Sequence, residues 1–502
     1  MLVPACGHQY ICHKKEAMHS IRKIVGTIII TVLATIEILQ SQNIGIGTAT
    51  PLQLLDVNGA IRVGGTTVAN TGAIRWNEIK NDFEGFNGVA WVSLTGGKGK
   101  WGDQLSYSTE NTSTHLELVT STVEGEEFGY NISAEGDWMV AGAYRDGVPN
   151  QSSKWAAGSI RVFQRNNDLW QEKYAHYDPD TKTNDFFGVS VGMTPTHIIA
   201  GAPNADAGII NDIGKAYIYT FNQNGSALQS TLSAPDGQSQ DNFGCAVAIS
   251  GDVAVIGASG NDVSGISNMG SAYVFTRTGN TWSHTTTLIP SDGSLDDYFG
   301  SFVSVWGNYI AVSTPFKTIN GFPYAGKTYV YYKTGGSWLL ISNLVSPNPS
   351  SLELFGYDVC VRDNILLVGA PETTDPTVGG AGAVYVYQLD NLNVTYKATL
   401  QASDGAIGDG LGVSVTYKDN LILAGAPIAA VGASANQGKA YIFRLINNVW
   451  TEEAILTSST NEEGINFGRS AALTTGFAMV GAPYAEVGEK LNNGKVLFFK
   501  QY

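Results

Sequence analysis

The stretch FGCAVAISGDVAVIGA, residues 243–258, sets an apolar alternating run against a short Ser-Gly-Asp turn and then a second apolar run ending in Gly-Ala. Working outward, Phe243-Gly244 recurs as Phe128, Phe187, Phe299, Phe355, Leu411 and Phe467, each followed by Gly, at intervals of 56 residues after a first step of 59. Fourteen residues after each anchor stand Gly142, Gly201, Gly257, Ser313, Gly369, Gly425 and Gly481. A third landmark follows at Gly158, Gly214, Gly270, Gly326, Gly382, Gly438 and Gly494. A period this long and regular marks stacked supersecondary units. Within each unit, four short apolar runs separated by Gly, Asn and Asp predict a four-stranded antiparallel meander. In the third repeat the runs cover 243–249, 253–256, 272–276 and 282–288.

In the first run, apolar Val247 and Ile249 alternate with small Ala246 and Ala248, and the other repeats follow the same pattern. Period two puts the two sets on opposite faces. Small residues suit a strand crowded against an axis, so this run is innermost. A blade with an apolar face must be covered by a neighbour, and a ring leaves no uncovered end. The expected fold is therefore all-β: a seven-bladed propeller of four-stranded antiparallel blades over 102–502. The last repeat stops after its third run. Residues 114–119, ahead of the first anchor, are expected to supply the missing outer strand and clasp the ends.

With Phe-Gly and then Gly-Ala-Pro repeated sevenfold, residues 110–502 resemble the FG-GAP propeller of integrin alpha subunits and bacterial surface proteins, most closely the bacterial branch. That resemblance implies binding or adhesion more than catalysis. Fold by itself does not establish function.

Ahead of the repeats, Lys14, Lys15, Arg22 and Lys23 precede an apolar stretch from Ile24 to Ile36. This reads as a signal peptide over 1–41, with Met18 as an alternative start, and the stretch falls short of the roughly 20 residues that span a bilayer. A retained signal anchor is the competing reading. Residues 42–101 read as a β-rich stalk and linker. They include Ile-Gly-Ile-Gly-Thr at 44–48, Leu-Asp-Val-Asn-Gly at 55–59, Phe-Glu-Gly-Phe-Asn-Gly at 83–88 and a final strand at 91–94. This segment resembles the stalks of phage tail fibres and Bacteroidetes-type surface proteins, which implies trimerisation through the stalk.

The formal net charge is −15, and basic residues are scattered singly. That argues against nucleic acid, whose phosphates need clustered Lys and Arg. Cys245 and Cys360 fall on inner strands of non-adjacent blades, too far apart to bridge, and read as small core residues. Trp170, Trp282, Trp338 and Trp450 recur at one place on the outer strand. Packing across the blade edge is the expected role, with a carbohydrate platform as the rival.

The loops entering each inner strand are acidic. Asp236, Asp241, Asp292, Asp296, Asp297, Asp404 and Asp409 could hold calcium, which wants several oxygen ligands; Asp and Gly are also ordinary turn residues. The integrin-type calcium loop has no room in the tight first hairpin. No other cofactor is implied. The four histidines after the leader show no metal-ligand spacing, and no nucleophile elbow or phosphate loop appears, so an enzyme is not expected.

In a meander, the links between strands two and three and between successive blades share one rim, which carries the longer and more varied loops. Binding is expected there. The candidate contacts are Asn204, Asp206, Asn261, Asp262, Lys317, Tyr324, Thr373 and Asp375. The functional expectation is an exported or cell-surface protein contacting a protein or carbohydrate partner outside the cell, with no membrane span after signal cleavage. A secreted polysaccharide-active enzyme and a structural spacer are the alternatives.

Overall fold

The computed structural model describes residues 74–77, 82–86, 91–93, 117–118 and 125–501, save 148–155, 167–168, 181, 374–379, 461 and 489. The signal-peptide, trimerisation and 44–59 readings lie outside them. The chain forms two compact units that divide between Lys98 and Gly99. In the first, Ile74–Asn77, Asp82–Phe86 and Trp91–Ser93 form a three-stranded antiparallel meander.

The second unit is seven four-stranded antiparallel sheets. In the third blade the strands are Phe243–Ser250, Val253–Ala258, Ser271–Thr278 and Thr281–Leu288, each extending the expected run by one to three residues. The inner hairpins close tightly because their turn residues accept positive φ: Gly251 at 56°, and the pairs Asp363-Asn364 and Asp419-Asn420 at 49–65°. Two left-handed residues in succession match the twist of flanking strands. A bulge falls at one place between strands three and four, for example at Val274/Phe275.

The ring closes as the sequence leads one to expect. Glu117–Leu118 pairs antiparallel with Lys495–Lys500, through Leu118 with Val496 and Glu117 with Leu497, as the fourth strand of blade seven.

The repeated motif is an inter-blade contact. A Cβ on Gly257 would sit 1.9 Å from the carbonyl oxygen of Gly300, the Phe-Gly glycine of the next blade. Gly481 meets Gly129 in the same way at 2.1 Å, across the closure. The third landmark pairs onward too, with Gly270 bridging Phe299. The hydrophobic core accordingly lies between blades: Phe128, Met139, Phe163 and Trp170 of blade one pack with Phe477, Met479 and Phe498 of blade seven. Trp170 is buried with its ring 5.3 Å from Phe498. Trp282 is likewise buried, donating from Nε1 to Gln229 of blade two at 2.9 Å. These tryptophans are packing residues reaching across to the preceding blade.

Candidate binding face

Five of the long links between strands two and three fold back on themselves through a small bridge, Ala207 to Ile210, Val263 to Ile266, Ile319 to Phe322, Val431 to Ser434 and Val487 to Lys490. The tips are thereby held out from the ring on a rigid base. Beside them run the acidic crossover loops, and the carboxylates there have partners of their own. Tyr273 Oη donates to Asp236 at 2.8 Å, Tyr329 to Asp292 at 2.6 Å and Tyr441 to Asp404 at 2.8 Å. Each pair is 37 residues apart, so one latch recurs in blades three, four and six. Lysine completes it: Lys327 reaches Asp292 at 2.7 Å and Lys439 reaches Asp404 at 2.8 Å. Burial works to raise the Asp292 and Asp404 carboxyls, but the Lys and Tyr donors outweigh it and hold both below the usual value.

A second set of acids faces inward. Asp241, Asp297 and Asp409 are buried and accept backbone N–H groups three residues upstream, from Gln238, Ser294 and Ala406. Each carboxylate thereby closes the turn that it ends and fixes the loop before it enters the blade. Asp296 is exposed and accepts from Asn268 Nδ2 at 2.8 Å. Among the described residues, no three His, Cys, Asp or Glu side chains converge as a metal-binding group.

The eight candidate contacts divide by burial. Asn261 is buried, donating to Asp241 and Tyr273 at 3.1 Å each. Lys317 is buried against Asp297 at 2.6 Å, and Thr373 is fully buried. These three hold the loops in place from beneath. Asn204 and Asp206 are half-buried, with Asp206 accepting from the Asp212 backbone at 3.1 Å. Asp262 and Tyr324 are exposed. Asp375 lies outside the described residues.

The inner strands enclose an axial cavity of about 230 Å³. Polar side chains bridge neighbouring inner strands around it: Asn131 accepts from the Val191 N–H at 2.9 Å and Ser190 from Val247 at 3.0 Å. Asp358 accepts from Val415 at 2.7 Å and from its neighbour Val359 at 2.9 Å. Burial pushes the Asp358 carboxyl up to about 7, against the pull of those N–H groups and of Arg469. Cys360 also lines the cavity; it and Cys245 are free thiols, partly buried and packed against the cores between blades. At the tight-turn end, Arg362 reaches Glu135 at 2.6 Å and Lys418 reaches it at 3.7 Å, joining blades five and six to blade one. Arg362 also lies 4.5 Å over the Trp306 ring.

At the opposite mouth, Arg469 Nη2 donates to Tyr130 Oη at 2.7 Å and its Cζ sits 4.3 Å over that ring. Tyr130 in turn packs on Tyr144 at 4.6 Å, and Arg145 pairs with Glu127 at 3.2 Å. Sequence reading passed over these residues. Their signal is the position two after each anchor: Tyr130, Val189, Cys245, Ser301, Tyr357, Val413 and Arg469 share no type within an otherwise repeated motif. Variation there was invisible as a site because only the ring brings the seven positions together.

Seven closed blades with a latched loop rim define a β-propeller, built from a unit that carries Phe-Gly at the head of its inner strand. A family model described as FG-GAP repeat matches residues 170–219, 227–275, 282–331, 338–387 and 394–443. Each match runs from the outer strand of one blade to the third strand of the next. The chain is an FG-GAP β-propeller protein. No curated protein matches it.

Proposed function

We propose that the propeller is a binding module of an exported or cell-surface protein, and that its long-loop rim is the face that contacts a partner. The observation that carries this reading is the apolar exposure of that rim. Ile209, Ile407, Leu295, Leu352, Tyr324 and Phe322 stand out between 97% and 42% exposed. On the opposite rim the inner turns are Gly251-Asp252, Gly307-Asn308, Asp363-Asn364 and Asp419-Asn420. Among the described residues, the large exposed apolar side chains there are Leu169, Leu392, Ile446 and Val449, at the turns between strands three and four. Apolar tips ringed by acids and asparagines have the make-up of an interface core within a polar rim. Because the tips are already bridged and their bases latched, little loop ordering remains to be done on binding. In this reading the propeller binds and does not catalyse, and the 42–101 segment presents it.

The test is capture from an array of surface proteins and glycans. Ile209→Ser with Phe322→Ser should abolish capture, while Asp252→Ser with Asn308→Ser on the tight-turn rim should leave it intact. The reverse pattern refutes the assignment.

A further inference from the structure

We propose that the axial mouth on the long-loop rim is a carboxylate-binding pocket built on Arg469, filled by an acidic side chain of a protein partner. This rests on the binding role given to that rim. Arg469 is the basic residue among the seven that follow the repeated Phe-Gly or Leu-Gly. Its guanidinium carries five N–H donors. Among the described residues it has one hydrogen-bond partner, the Tyr130 hydroxyl, and no carboxylate within ion-pair reach. Two acids are near enough to feel its charge, and both are otherwise engaged. Glu127 pairs with Arg145 at 3.2 Å, and Asp358 accepts the Val359 and Val415 N–H groups.

Arg469 is half-buried and faces the cavity, and a guanidinium partly withdrawn from water without a counter-ion is costly, so an anion is the partner the arrangement lacks. The planar fork suits a carboxylate, which it holds through two parallel hydrogen bonds. Tyr130 already covers one face of the group at 4.3 Å, leaving the fork edge for the ligand. At about 230 Å³ the cavity below is smaller than the roughly 300–1,000 Å³ of pockets that bury drug-sized ligands. It therefore takes one side chain, not a chain segment. The aliphatic tips Ile209, Leu295, Leu352 and Ile407 on the same rim suit the apolar surface of a protein better than the hydroxyl-rich surface of a sugar.

The probes are N-acetyl-glutamate amide, its neutral glutamine isostere, glucuronate and sulfate, titrated into the full chain and followed by saturation-transfer NMR. The glutamate probe should bind at least tenfold more tightly than the glutamine isostere, and Arg469→Gln should remove that preference. Tyr130→Phe leaves the fork intact and should keep it. Equal binding of the two isosteres, or an unchanged preference in Arg469→Gln, overturns the proposal. Tighter binding of glucuronate or sulfate than of the glutamate probe overturns the assignment to a protein side chain. Should Arg469→Gln fail to fold, the comparison of isosteres on the native chain still decides. With a captured partner, loss in both Arg469→Gln and the Ile209/Phe322 variant supports the pocket. Loss only in the latter overturns the pocket and leaves the binding role standing, whereas indifference to both removes the binding role itself.

Discussion

Replacing Gly257 by alanine tests the reason the motif repeats. The added Cβ would lie 1.9 Å from the Gly300 carbonyl oxygen, where carbon and oxygen need about 3.3 Å even in their closest favourable contacts. The Cβ is fixed to the strand Val253–Ala258 and the oxygen it meets is backbone, so no side chain can swing aside. Blades three and four must move apart by about 1.4 Å, against an interior packed as tightly as an organic crystal. Overpacking of this kind costs up to about 3 kcal/mol, and the stiffer unfolded chain returns about 0.4–1 kcal/mol. The net loss is then up to about 2–2.6 kcal/mol. Gly99–Gln501 is a unit of roughly 400 residues, for which an unfolding entropy of about 2.1 cal/mol/K per residue gives ~0.8 kcal/mol per degree. The melting temperature should therefore fall by about 3 °C in calorimetry. Gly251→Ala is the control: it has open space within 4 Å and only a left-handed turn to strain, costing about 1–2 kcal/mol less the same unfolded-state return of about 0.4–1 kcal/mol, and so about half the shift or less. A Gly257→Ala protein that melts as high as the parent, or higher than Gly251→Ala, would refute the contact as the origin of the motif.

Ring closure predicts that a chain beginning at Phe128 melts lower and aggregates sooner than one beginning at Trp101, because Lys495–Lys500 loses Glu117–Leu118 and shows an open edge; light scattering during a thermal ramp reads this directly. Stability should also fall as pH rises from about 5 to about 8. Burial, reinforced by neighbouring Asp178, pushes the Asp185 carboxyl up to about 8, and burial chiefly pushes Asp146 to about 6 and Asp358 to about 7. All three then hold more protons folded than unfolded across that window. Asp185→Asn should flatten the decline, and a melting temperature that climbs with pH in the parent would contradict the assignment. Lys317→Ala strands Asp297 in a buried position and should cost about 3–5 kcal/mol, part of it recovered by Lys317→Met with Asp297→Asn, which removes the charge and keeps an acceptor for the Ser294 N–H. Millimolar calcium should leave melting unchanged, since Tyr273, Lys327 and Lys439 already occupy the loop carboxylates; a rise of several degrees would show that the ion displaces them.

How much of this could be read from the chain alone follows from what is local. Alternation along 243–249 and the Ser-Gly-Asp turn depend on neighbouring residues, so strand, turn and inner position were all legible. The fixed interval carried the number of blades, and the short last repeat carried the closure. The roles of the loop acids were not legible. Asp292 looks like a turn residue or a calcium ligand until Tyr329 and Lys327, 37 and 35 residues later, fold back onto it. Asn261, Lys317 and Thr373 look like surface polar residues in a loop, yet the crossover loop that covers them comes from elsewhere in the chain. Trp282 could equally have faced solvent as a platform; the preceding blade buries it.

Repetition by itself determined the architecture, because each blade's local pattern admits one strand arrangement and a ring is the way to cover every apolar face. Only the tertiary structure decided which polar residues are struts and which meet solvent, because burial depends on what the neighbouring blade lays over them. It also assembled the axial mouth. Tyr130 and Arg469 stand 339 residues apart in the chain, and ring closure alone sets them side by side.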